Sequence, residues 1–169
     1  MKKQKLQLYT LLFGILLVGF SANTANARFI LTTGFPSPTI FSRPVDNPNL
    51  PRTRGVTQVT KTEKNDTIVT NQITTTFDTI TVQGIPCAII YNLEWTYVKK
   101  LKKQFLTAET YSFYAWDNKG NVWEFGKDSL KYQYNNKWRR TGINTKASWL
   151  AGKNKAVPFI VMQAKSKKS

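Results

Sequence analysis

The chain has 169 residues, with 25 Lys or Arg against 9 Asp or Glu and no histidine, a formal charge of +16. Without histidine there is no Ser-His-Asp or Cys-His catalysis and no imidazole zinc ligand, and the lone cysteine, Cys87, excludes an internal disulfide. The charge favours anionic partners through an attraction that weakens with salt, and it also serves plain solubility.

Residues 1–27 read as a signal peptide. Lys2, Lys3 and Lys5 precede an apolar run from Leu6 to Phe20, and Ala25 and Ala27 supply the small residues of a cleavage site. The run is shorter than the roughly 20 residues that span a bilayer, and no cysteine near the cut allows lipid attachment. The expectation is a cleaved signal helix cut after Ala27, and a secreted or periplasmic chain of 142 residues that keeps 22 basic and 9 acidic groups, +13. That length suits one domain.

Residues 28–55 form a proline-rich arm outside the core, punctuated by Pro36, Pro38, Pro44, Pro48 and Pro51. Phe29-Ile30-Leu31 and Ile40-Phe41 are the pieces able to dock on the domain. From Val56 to Ala164 the composition turns to Thr, Val, Ile and aromatics, which suit a pleated, half-buried surface. Strands are expected at 56–61, 67–77, 79–82, 85–98, 105–116, 122–125, 130–134 (with 137–140 as an extension), 149–152 and 157–162. Leu93, Trp95 and Tyr97 alternate with Asn92, Glu94 and Thr96, the period of a sheet with one wet face. The gaps are too short for parallel crossovers. The predicted fold is mainly β, a single antiparallel meander sheet, curved into a half-barrel or an open sandwich. Residues 165–169 are expected to be a basic, disordered tail.

The most patterned stretch is "YAWDNKGNVWEFGKD", residues 114–128. Gly120 can take φ > 0 in a tight turn, and the aromatics on either side pair across two strands. Asp117 and Asn121 suit a calcium loop, but Lys119 stands where an oxygen ligand belongs, so the stretch reads as a hairpin and no metal or cofactor is expected. Cys87, inside Gly84-Ile85-Pro86-Cys87-Ala88-Ile89-Ile90, reads as a small core hydrophobe.

Tyr114-Ala115-Trp116-Asp117, Gly120 to Gly126 and Asp128 resemble the "YAQD…GNVWYFGED" signature of a family of exported bacterial proteins of unknown function. Asn47-Pro48-Asn49-Leu50-Pro51 is similar to that family's "NPYFPL", Gly84-Ile85-Pro86-Cys87 to its "dGv-x-C" strand start, Ser148 to Gly152 to its "SWEAG", and Ile160-Val161-Met162 to its "GIVM". The resemblance covers residues 47–164 and implies a fold, not a reaction. Trp116 replaces the glutamine of "YAQD" and Lys127 the glutamate of "FGED", and the usually acidic turn reads Lys99-Lys100-Leu101-Lys102-Lys103. Family members continue for several strands to a "YAPGVG" segment, whereas this sequence stops at Ser169. The expectation is either a truncated copy or a short version whose open sheet edge is covered by a partner strand or by the arm.

Three functions follow. The nine carboxylates (Asp46, Glu63, Asp66, Asp78, Glu94, Glu109, Asp117, Glu124 and Asp128) are scattered singly, which argues against an enzyme. Lys99, Lys100, Lys102 and Lys103 in one turn, and Lys137, Arg139 and Arg140 around Trp138 in another, form a candidate patch for anionic envelope lipid or polysaccharide; lysines at strand ends also block edge-to-edge aggregation. Nucleic acid is not expected outside the cell. The runner-up is a half-barrel carrier that wraps a small hydrophobic ligand with an aromatic face of Trp95, Tyr97, Phe113, Trp123 and Phe125. The leading expectation is a non-enzymatic binding or structural module of the bacterial envelope.

Overall fold

The computed structural model describes residues 34–50 and 52–164. The expected signal peptide, the Phe29-Ile30-Leu31 piece, Pro51 and the basic tail lie outside them. Eight strands make one antiparallel sheet that does not close into a barrel. They are β1 (Thr57–Lys64), β2 (Thr67–Val82), β3 (Ile85–Val98), β4 (Lys103–Trp116), β5 (Val122–Tyr134), β6 (Arg140–Asn144), β7 (Trp149–Leu150) and β8 (Phe159–Met162).

The first six strands follow one another as a meander, as the short connections require. The last two depart from it: β7 and β8 lie along β5 beside β6, so β5 pairs with β6 at Lys131–Tyr134, with β7 at Lys127 and Gly126, and with β8 at Val122–Glu124. Three short pieces thus cover the far side of β5, while among the described residues β1 pairs with β2 alone and its other side is open. Lys61 and Lys64 on that edge discourage further strand addition.

Two expected breaks are continuous strands. Segments 67–77 and 79–82 join in β2 through a bulge between Thr75 and Thr79. There Thr76 Oγ1 donates to Ile89 O at 2.9 Å and accepts from Asp78 N at 3.2 Å, leaving Phe77 72% exposed. Segments 122–125 and 130–134 join in β5, because Gly126-Lys127-Asp128-Ser129 pair with residues of β4. Their turn-like composition loses to the hydrogen-bonded ladder. Gly126 also permits a close approach: a Cβ there would lie 2.7 Å from Trp149 O. Conversely, residues 137–139 do not extend a strand. Asn135 Oδ1 accepts from Lys137 N and Arg139 N, both at 3.0 Å, and holds them in a turn.

The core occupies both faces of one end of the sheet. Val82, Ile85, Cys87, Ala115, Trp123, Phe125, Ala151 and Ile160 pack on one face; Leu50, Ile90, Trp116 and Val122 pack on the other. Neighbouring residues alternate between the two clusters, as a pleated strand dictates. The arm belongs to this core. Ile40 and Phe41, in a 3-10 turn spanning Pro38–Phe41, cover the first face, and Leu50 is buried on the second. Proline content masked this role, because proline removes donors without preventing side-chain burial. Asn118 N donates to Ile40 O at 2.7 Å, Val45 N to Asp117 O at 3.0 Å, and Trp116 Nε1 to Leu50 O at 2.9 Å.

Candidate functional site

A meander places alternate turns at the same end of a sheet, and this one gathers the charge. The β1–β2, β3–β4 and β5–β6 turns lie together opposite the end that the arm seals. Lys99 N donates to Asp66 O at 2.9 Å, tying the first two turns. Trp138 stacks on Phe105 with ring centroids 5.0 Å apart, tying the third to the start of β4. The two basic clusters expected from sequence therefore form one tip. Across residues 63–66, 99–103 and 135–140 it carries eight cations (Lys64, Lys99, Lys100, Lys102, Lys103, Lys137, Arg139 and Arg140) against two carboxylates, Glu63 and Asp66.

The cations differ in freedom. Lys99 is half-buried, with Nζ on the Glu63 carboxylate and 3.0 Å from Asn65 O. Lys100, Lys102, Lys103, Lys137 and Arg139 are exposed. The guanidinium of Arg140 lies 4.2 Å over the Tyr132 ring. Two backbone features shape the tip. Lys102 takes φ +52 and closes the 3-10 turn at Lys99–Leu101, leaving Leu101 42% exposed among the lysines. Trp138 takes φ +56, a region bulky residues avoid, and its ring sits on Phe105 and 5.7 Å from Tyr134. Leu101 is the member of this tip that the run of charge does not mark, an apolar residue at the centre of a four-lysine turn.

The expected aromatic face divides. Phe113, Trp123 and Phe125 belong to the first core cluster, with Trp123 and Phe125 at 6% and 0% exposure. Phe41 packs edge-on against both rings, at 5.9 and 5.5 Å. Trp95 and Tyr97 lie farther along β3, half-buried, beside Leu106 and Gln104 of β4. The five do not line one cavity. A cleft of about 610 Å³ opens elsewhere, beside the arm, between Phe41, Asp46, Arg54, Pro86, Tyr114 and Trp116. It was not legible in sequence, since the arm builds one wall.

Most carboxylates have local partners. Glu109 accepts from Tyr91 Oη at 3.1 Å and from Tyr132 Oη, and Tyr91 stacks on Tyr111 at 4.6 Å. Burial chiefly, then Glu109, pushes the Tyr91 hydroxyl upward in pKa; for Tyr132 the Glu109 hydrogen bond is the main cause. Asp128 accepts from Ser148 Oγ at 2.9 Å.

Asp117 explains the patterned hairpin. It is 3% exposed, and its carboxylate accepts from Lys119 N (2.8 Å), Asn121 N (2.9 Å), Asn121 Nδ2 (2.8 Å) and Trp123 Nε1 (2.9 Å). Four N–H donors occupy its oxygens, so "D-x-x-x-N-x-W" is a clasp built from side chains. Asn121 Oδ1 then accepts from Ala164 N at 2.8 Å, and fully buried Asn47 donates Nδ2 to Gly120 O at 2.8 Å and Gln163 O at 3.1 Å. The hairpin, the arm and the segment after β8 meet there. Among the described residues, no group of three or more Cys, Asp and Glu side chains is close enough to hold a metal ion. Cys87 is fully buried, with its thiol pushed up to about 12 by burial. Compared with protein-family models, curated proteins and solved structures, the chain matches none of them.

Proposed function

We propose that this chain is an exported, non-catalytic binding module of the cell envelope that attaches to anionic surfaces through the basic end of its sheet. The observation that carries the reading is the segregation of charge: eight cations against two carboxylates at three neighbouring turns, with the opposite end closed by the arm. Export rests on the signal-like residues 1–27, and kinship with the exported family on residues 114–128 and their flanking pieces. The dispersal of the carboxylates into local hydrogen bonds supports a role without catalysis. A hydrophobe carrier draws less support, because Phe41 already covers the Trp123 and Phe125 rings.

A cation near an anionic bilayer contributes about 1 kcal/mol at physiological salt. Replacing the exposed Lys100, Lys102 and Lys103 by Gln is therefore expected to weaken binding by about two orders of magnitude. The measurement is salt-dependent retention of residues 28–169 on anionic vesicles and on immobilised dextran sulfate. The control neutralises Lys119, Lys153 and Lys155, all exposed and away from the tip. Equal retention of the tip variant and the control would sink the reading.

A further inference from the structure

The basic tip is also apolar at its centre, and that narrows its partner. Leu101 stands 42% exposed between Lys100 and Lys102, raised by the left-handed backbone of Lys102. A turn that only displayed charge would gain nothing from an exposed leucine, since turn positions favour Gly, Asn, Asp and Ser. The adjacent turn repeats the arrangement. Lys137, Arg139 and Arg140 flank Trp138, which is held at φ +56 with its ring in contact with Phe105 and Tyr134. The packing on Phe105 and Tyr134 holds that backbone in place and fixes the indole among the cations of the turn. Two neighbouring turns thus offer the same chemistry: cations around an apolar or amphipathic side chain.

Soluble polyanions and anionic bilayers both satisfy lysines, but only a bilayer supplies hydrocarbon just beneath its charge. We propose that the partner is an anionic phospholipid bilayer, with Leu101 entering the boundary of the acyl region and Trp138 lying at headgroup level. This rests on the surface-binding reading above and adds the partner. Lysine and arginine stems reach outward from an inserted apolar residue, and tryptophan prefers the membrane–water interface. The geometry is end-on. Strands β2 to β5 run 13 to 16 residues, so at about 3.3 Å per residue the arm-covered end stands about 40–50 Å from the bilayer.

The test uses residues 28–169 with vesicles of phosphatidylglycerol and phosphatidylcholine, vesicles of phosphatidylcholine alone, and dextran sulfate as a soluble polyanion. Leu101→Ser should bind the phosphatidylglycerol vesicles about three- to tenfold more weakly, from the partial burial of one leucine, and bind dextran sulfate as the parent does. Brominated acyl chains should quench the parent's fluorescence more than that of Trp138→Phe. If Leu101→Ser binds vesicles like the parent and binding stays salt-sensitive, the tip is purely electrostatic and the bilayer inference falls alone. If Leu101→Ser loses both partners equally, the leucine supports the turn and does not insert, which also overturns the inference. Absence of salt-sensitive binding to either partner removes the surface-binding reading and the inference together.

Discussion

Replacing Asp117 by Asn tests the clasp at the sealed end. The change keeps the shape and one oxygen, so Lys119 N and Asn121 N can retain their acceptor. The other oxygen becomes an NH₂ group facing Asn121 Nδ2 and Trp123 Nε1, and both donors lose their partner. A buried donor left unsatisfied costs about 1–3 kcal/mol. Trp123 is 6% exposed and bears that cost in full; half-buried Asn121 finds water and falls at the low end. The expected loss is about 2–4 kcal/mol, which lowers a urea midpoint by about 1–2 M at an ordinary slope for this size. Equilibrium urea unfolding followed by circular dichroism measures it. A second variant isolates the cause: with Trp123→Phe already present, the indole N–H is gone and Asp117→Asn should cost about 1–3 kcal/mol less. A loss under about 1 kcal/mol in the single variant, or no difference between the two backgrounds, would refute the clasp.

Glu124 is 6% exposed, and burial raises its pKa against the opposing pull of Lys127. The fold therefore favours the protonated acid, so its contribution to stability is full below the ordinary value of 4.5 and is lost as pH rises through the raised one. Glu124→Gln should be more stable than the parent near neutrality, with the gap closing below pH 4.5; parallel midpoint-against-pH curves would contradict this. For Cys87, a thiol at about 12 leaves about one group in ten thousand ionised at pH 8. Iodoacetamide should then label the native protein only at the rate at which it opens, and labelling at the rate of a free thiol would place Cys87 at the surface.

The features set by local pattern were the ones legible in the sequence. Alternation along 92–97 marked β3, and the gap lengths dictated antiparallel neighbours. The Asp117–Asn121 break marked a hairpin, and Cys87 reads and packs as a hydrophobe. What stayed hidden depends on distant partners. Gly126 to Ser129 look like a turn until β4 pairs with them, and residues 38–50 look like a linker until the end of the sheet gives Phe41 and Leu50 something to cover. The basic patches were visible as two runs of residues; their union into one tip follows from the order of the strands. Leu101 was legible only as part of a charged run, because exposure is a property of the folded turn.

Residues 38–50 cross the rim of the sheet like a strap, with Phe41 gripping one side and Leu50 the other. Asn47 seats only when Gly120 and Gln163 have both arrived. A chain synthesised from its N-terminus therefore makes its strap early and fastens it at the end. Until then Trp123 and Val122 lie bare on opposite sides of an otherwise complete sheet, so the interval before fastening is when proteases and self-association take their toll.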